Sequence, residues 1–381
     1  MKKLHLLLII LLFAHPVWAV EPIKIGFIGP LTGDYMAEGM EARQVVELLA
    51  QNTNDHGGIL GKKIEMIYED DQGNPQTAGA AAKRLVQQRV IAVIGSYTSA
   101  VTEATQQVFH QNRIMQITYG ATAVPLTERG LGRFFRICPR DDNQAKAAVR
   151  VMQKMKMKRI AIVHDGSLYG KGLAETIKEF LDDSKAAPVF YDALIPGKGD
   201  YSDILAKAKD TRPDFVFFAG FYPEAAQLLK GRQQMDWHEV IFMGGDAVDS
   251  SRLTEISGVK AAEGFYFLSM PRVKDIDAPR TRQFINSYEK AYKSRPASAY
   301  ALLAGDAFAA ITESVKRLKT TDSKLLSEYL HTKYNKKDGL TGNIRFDLKG
   351  DVVNDLHAVY RVDNQGRYIL QRKLQYGIFT K

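Results

Sequence analysis

Apolar, β-rich runs that are continuous rather than alternating constrain this chain more than any other feature. They fall at residues 23–28, 64–68, 90–94 and 114–118, and again at 159–163, 189–194, 215–218 and 240–243. Helix-compatible stretches lie between them, at 41–51, 77–88, 101–111 and 172–181. A strand that is apolar along its whole length needs cover on both faces. Alternation with helices then implies right-handed βαβ units and a mostly parallel sheet. The pattern runs twice. Residues 133–139 and the polar run 140–144 read as a crossover, and a fresh series starts at Arg159. A strand at 264–270 and a break at 271–279 read as a return, followed by long helical segments at 281–294 and 297–318. The tail reads as two strands, 356–361 and 367–374, joined by the turn Asp363-Asn364-Gln365-Gly366. The expected fold is α/β: two doubly wound, mostly parallel lobes joined by a multi-crossing hinge. Residues 20–140 plus 271–354 form the N-terminal lobe, and residues 141–270 plus 355–381 the C-terminal lobe.

The first residues read differently. Lys2 and Lys3 precede a run at 4–14 that is apolar except for His5, and Val17-Trp18-Ala19 follows. This is the pattern of a secretory signal peptide, residues 1–19, cleaved near Ala19. The apolar run is about half of the roughly 20 residues that span a bilayer. No cysteine follows the cleavage site, so lipid has no point of attachment there. A periplasmic location is expected. The single cysteine, Cys138, excludes an intrachain disulfide and reads as a buried structural thiol beside Pro139. The formal net charge of +9 is spread among interspersed charges, as in Lys207-Ala208-Lys209-Asp210. With no basic stripe interleaved with aromatics, nucleic acid is not an expected partner. A small molecule is, and the chain is expected to act as a monomer.

In such sheets ligands bind beyond the carboxyl ends of strands. The loops to inspect are therefore 29–38, 96–99, 119–123, 164–169, 221–223 and 244–246. In Ile94-Gly95-Ser96-Tyr97-Thr98-Ser99, Thr98 or Ser99 starts a helix, whose free N–H groups suit a carboxylate. An ordinary N-cap is the other reading. Thr118-Tyr119-Gly120-Ala121-Thr122-Ala123 lets backbone approach a ligand and offers the Thr122 hydroxyl, unless it is only a tight turn. Gly244-Gly245-Asp246 places a carboxylate where it either pairs with an ammonium or faces solvent as a helix-capping residue.

Enzyme signatures are poor. Residues 57–63 lack the spacing and Ser/Thr of a phosphate loop, and no Gly-x-Ser-x-Gly elbow or HExxH pattern occurs. His164-Asp165 has no visible nucleophile partner. No catalytic residue, metal or cofactor is expected.

A family resemblance is carried by ordered tags: Ile28-Gly29-Pro30-Leu31-Thr32-Gly33, Gly57-Gly58-Ile59, Tyr68-Glu69-Asp70-Asp71 and Ile94-Gly95-Ser96. Ala121-Thr122-Ala123, Ile162-Val163-His164-Asp165 with Tyr169-Gly170, and Gly220-Phe221-Tyr222-Pro223-Glu224 follow. Across nearly the whole mature chain this resembles the branched-chain amino-acid-binding proteins of the type I periplasmic binding fold. The resemblance implies delivery of an amino acid or close analogue to the membrane permease of an ABC transporter. A sensor role, or another ligand such as an amide, urea or aromatic acid, stays open. It implies a ligand carboxylate near Ser99 and the Thr122 loop, with Thr98 beside them. It puts the α-ammonium near Gly120, Thr122 and Asp246, the last standing where the best-known relatives carry Glu. It also implies cleft contacts from Ala121 and Tyr169, Phe221 where Tyr is common, and Tyr97 and Tyr300 at the ligand side chain. Glu38 stands where an aromatic residue is usual. Residues 33–39 read as a loop, which leaves three placements for Glu38: turned to solvent, paired with a base or a hydroxyl such as Tyr97 or Tyr300, or set against a polar ligand tail.

Overall fold

The computed structural model describes residues 21–184, 186–353 and 357–374, so the signal peptide read at 1–19 lies outside the described residues. The first half runs β1 (Ile23–Gly29), α1 (Met36–Asp55), β2 (Ile64–Asp70), α2 (Pro75–Gln87), β3 (Ala92–Ile94), α3 (Ser99–Gln111), β4 (Met115–Thr118), α4 (Pro125–Glu128) and β5 (Phe134–Arg136). The chain then continues through α5 (Asp141–Lys154), β6 (Ile160–His164), α6 (Leu168–Asp183), β7 (Phe190–Ala193), α7 (Ser202–Asp210), β8 (Phe215–Ala219), α8 (Tyr222–Gln234) and β9 (Ile241–Gly244). It ends with α9 (Arg252–Ser257), α10 (Val259–Ala262), β10 (Tyr266–Ser269), α11 (Pro279–Tyr292), α12 (Ala299–Leu318), α13 (Ser323–Thr332), β11 (Ala358–Val362) and β12 (Tyr368–Leu370).

The first sheet has the order β2-β1-β3-β4-β5 and every pairing is parallel. The second has the order β12-β11-β10-β9-β8-β6-β7. Its five parallel strands repeat the order of the first sheet, and the antiparallel pair β11–β12 is added at the β10 edge. The continuous apolar runs explain this: β6 and β8 are buried along their whole length because helices cover both faces. Each sheet reverses strand order at its first strand, which opens a crevice beyond the carboxyl ends.

The chain passes between the sheets three times. It leaves the first after β5, returns after β10 so that α11, α12 and α13 pack on α1, β3 and β4, and crosses again before β11. Helix α12 is the central brace of the first half. It packs against α1, β3 and β4, and the Ser298 hydroxyl caps it by accepting the Tyr300 N–H at 3.1 Å. That cap fixes the helix start, and with it Tyr300.

Two expectations need correction. The chain crosses between the sheets at residues 137–140 as read, but 141–144 are already helical, because α5 begins at Asp141. Asp141 and Asp142 fill its first turn, where acidic side chains meet the positive end of the helix. Residues 33–39 are only partly loop: α1 begins at Met36 and Glu38 sits in its first turn. There Glu38 is 6% exposed rather than turned to solvent.

Candidate ligand-binding site

Five strand-end loops converge on one narrow, nearly closed cavity of about 10 Å3, walled by Tyr97, Thr98, Ser99, Gly120, Thr122, Tyr169, Phe221, Asp246, Ala247 and Tyr300. Two wider grooves lie elsewhere, one beside residues 271–279 and one between α1 and α12. In the first of these the charged side chains are already paired, Arg282 with Asp277 and Arg295 with Glu289. The small cavity is the one where buried polar groups converge.

The first sheet supplies one wall. The loop after β3 carries Thr98 into the N-cap position of α3, yet its hydroxyl makes no capping bond and has no partner. Thr98 therefore holds the N-cap position without a hydroxyl cap, and its buried, unpartnered hydroxyl borders the cavity. Ser99 accepts the Ala123 N–H at 3.2 Å, tying the β3 loop to the β4 loop. A Cβ at Gly120 would lie 2.7 Å from the Tyr97 carbonyl oxygen, so only glycine lets these loops meet. Ala121 is buried behind the wall rather than in it, with its N–H donated to the Thr118 hydroxyl at 3.1 Å. With the free N–H groups of the α3 start, this wall is built for an anion.

The second sheet supplies the opposite wall. Asp246 follows β9 and is 3% exposed, so the solvated reading is excluded. It makes no capping bond either. Its carboxylate accepts the Tyr169 hydroxyl at 2.9 Å and the Tyr300 hydroxyl at 2.7 Å. Burial, and then the Asp246 charge, push both phenols well above their ordinary range. A Cβ at Gly245 would collide with the Tyr169 hydroxyl and Gln144, which accounts for the glycine before Asp246. Phe221 begins α8 and packs on Tyr169, with ring centroids 5.5 Å apart.

The two halves touch around the cavity. Tyr35, from the loop after β1, lies 4.9 Å from Phe221. The Tyr222 hydroxyl donates to the Asp34 carbonyl, and Arg252 reaches the same oxygen at 3.3 Å. Glu38 belongs to this contact and does not line the cavity. Burial raises its carboxyl, and the Ser250 hydroxyl and Arg252 from the opposite half pull it down. Its Oε2 has no partner. The proposed pairing with Tyr97 or Tyr300 is not formed: Tyr97 stacks edge-on against Tyr300, and Tyr300 is held by Asp246.

Sequence reasoning missed Asp141 and Gln144, both on the first turn of α5. Gln144 accepts the Asp246 N–H at 3.1 Å and the Tyr169 hydroxyl at 3.3 Å. Asp141 is 1% exposed and donates its N–H to the Thr122 carbonyl at 3.0 Å. An acidic residue opening a helix is common, and nothing in the sequence says that its carboxylate points inward. No group of three or more metal-ligating side chains occurs among the described residues.

The periplasmic binding protein family profile matches residues 22–367. A leucine-, isoleucine-, valine-, threonine- and alanine-binding protein of Pseudomonas aeruginosa is 30% identical over 349 residues, covering 91% of this chain and 92% of its own length. A Leu/Ile/Val-binding protein of Escherichia coli is 31% identical over 345 residues, covering 89% and 92%. Among solved structures, a leucine-binding protein of Thermotoga maritima superposes with a TM-score of 0.83 at 26% identity, over 92% of this chain and 97% of that one.

Proposed function

The chain belongs to the periplasmic binding protein family, and from that premise we propose that it captures one aliphatic L-α-amino acid and delivers it to the permease of an ABC transporter. The observation that carries this reading is the two-sided cavity, with the α3 start and the free Thr98 hydroxyl on one wall and the buried Asp246 carboxylate on the other. A zwitterion fits it with the carboxylate toward Thr98, Ser99 and the Thr122 loop, and the ammonium toward Asp246. Tyr97, Phe221 and Tyr300 then surround the side chain. The names of the relatives favour an amino acid over an amide, urea or aromatic acid.

Each lobe supplies one half of the charge complement, so the ligand favours the closed state by its differential affinity. We take residues 20–140 plus 271–354 as one closing unit and 141–270 plus 355–381 as the other. The protein acts as a monomer without cofactor and catalyses no reaction. Export through a signal peptide cleaved near Ala19 places it in the periplasm, in keeping with the absence of any membrane-spanning helix among the described residues. Calorimetric titration of the mature protein with L-leucine, L-isoleucine, L-valine, L-threonine and L-alanine tests the reading. Saturable binding of at least one, with the ligand recovered intact, is expected, and binding of none refutes it.

A further inference from the structure

Asp141 is a buried carboxylate with no ion-pair partner of its own. The Thr122 hydroxyl stands beside its carboxylate and favours the charged form, yet neither oxygen receives a hydrogen bond of good geometry, and its side chain is 1% exposed. Such a group is costly unless a cation or a proton compensates it. The nearest base is already used. Arg136, on β5, binds Asp351 at 2.7 Å, the Ala123 carbonyl at 2.7 Å and the Thr127 hydroxyl at 2.6 Å. The remaining titratable groups that bear on Asp141 are acidic or neutral. They are Asp246 after β9, Asp142 on the same turn, Cys138 before α5 and Tyr169 on α6.

The placement of this carboxylate is the second observation. The first turn of α5 touches the ligand loops of both halves. Asp141 grips the Thr122 loop through its N–H, and Gln144, 0% exposed, grips Asp246 through that residue's N–H. The Nε2 of Gln144 is also without a partner. The charge of Asp246 opposes ionisation of the buried Asp141. An arriving ammonium changes that balance, because one added cation lets both carry charge.

We propose that Asp141 is a positioning residue of the ligand site: acting through Thr122 and beside Asp246, it supplies a second negative charge for the ligand ammonium and loses its proton to solvent when that ammonium binds. The proposal rests on the amino-acid reading given above. Burial, and then the charge of Asp246, hold the Asp141 carboxyl well above the usual carboxylate range, against the pull of the Thr122 hydroxyl and Arg136.

The test is calorimetry with L-leucine at pH 7.5, repeated in phosphate and in Tris, whose different ionisation enthalpies report protons exchanged on binding. The unmodified protein is compared with Asp141→Asn, so that protons handled by Glu38, Glu224 and Asp249 cancel in the difference. The expected result is that the unmodified protein releases more protons per leucine than the variant, and that the variant binds roughly tenfold more weakly. Asp141→Ser serves the same comparison if the asparagine variant does not fold. Equal proton exchange in the unmodified protein and the variant overturns the proposal, even if affinity falls, because a purely structural role would weaken binding without changing proton linkage. Absence of leucine binding by the unmodified protein overturns the functional reading, and the inference with it.

Discussion

The two halves of the molecule share one strand order and present opposite chemistries. At the ends of β3 and β4 the first sheet offers a helix start, the free Thr98 hydroxyl and a backbone bared by Gly120. At the ends of β6, β8 and β9 the second offers two aromatic rings and Asp246. On the proposed reading, loop substitution on a repeated scaffold thus makes one wall for an anion and one for a cation. Neither wall can hold a zwitterion by both ends, which ties recognition to closure. Tyr300 is the exception that joins them. It starts α12, packed on the first sheet, yet donates its hydroxyl to Asp246 of the second.

Removing the cationic-ligand wall should have the largest effect. Asp246→Ala leaves a buried ammonium unpaired, a loss of about 3 kcal/mol or more, which is on the order of 100-fold in Kd. The melting temperature of the protein without ligand should hardly fall, since the cost of the buried charge goes together with the two hydrogen bonds it accepts. Isothermal titration and thermal melting on the same preparations check both halves of this statement. Unchanged affinity would show that the two walls are not complementary.

The anion wall can be broken more gently. Thr98→Val keeps the shape and deletes a hydroxyl that has no partner in the empty protein. A hydrogen bond to a charged group contributes about 1.5–3 kcal/mol, so affinity should drop by roughly 10- to 100-fold. The melting temperature without ligand should stay level or rise. A variant that melts lower while binding normally would return Thr98 to the role of a plain cap.

Much of this comparison was legible before the structure. Continuous apolar strands gave away two covered parallel sheets, and Asp246 was conspicuous because a strand ends at Gly244. The placement of Glu38 was not legible, because the Gly33 to Gly39 segment has the composition of a loop and the α1 boundary cannot be placed to within a turn by pattern alone. Asp141 was hidden for a different reason. Its position in sequence is that of any acidic residue opening a helix, and only the packing of α5 against both ligand loops turns it inward. Ala121 illustrates the converse: it sits inside a recognisable motif, but its N–H is used by Thr118 and its side chain lies behind the cavity.

The contact that joins the halves outside the cavity should give a smaller, pH-dependent effect. Glu38 is held above the usual carboxylate range by burial. A raised pKa means that the buried form favours the protonated carboxyl. Its contribution to the closed state is therefore fully present below the ordinary glutamate range and is lost as pH rises through the raised value. Glu38→Gln should bind L-leucine a few-fold more tightly than the unmodified protein at pH 8 and about equally at pH 4.5, read by fluorescence or calorimetric titration. Since Glu38 does not line the cavity, the order of preference among leucine, valine and alanine should survive the substitution. A reversed pH trend, or a changed order of preference, would move Glu38 into the ligand site.

An effect of similar size is expected at the ring that bridges the halves. Tyr300→Phe removes one of two phenol donors to Asp246 and keeps the edge-on packing with Tyr97. With the Tyr169 donor retained, binding should weaken by about 1 kcal/mol, near fivefold, measured by competition against a labelled amino acid. A loss as large as that of Asp246→Ala would mean that Tyr300, rather than the carboxylate, holds the ammonium.

The most direct measurement of the two-wall account uses the unmodified protein and three ligands: L-leucine, L-leucinamide and 2-hydroxy-4-methylpentanoate. The amide lacks the carboxylate and the hydroxy acid lacks the ammonium, while the side chain is the same in all three. Calorimetry should give the tightest binding for L-leucine, with each analogue weaker by at least about tenfold. Affinity for either analogue equal to that for L-leucine would contradict the account, because one of the two walls would then make no contribution to recognition.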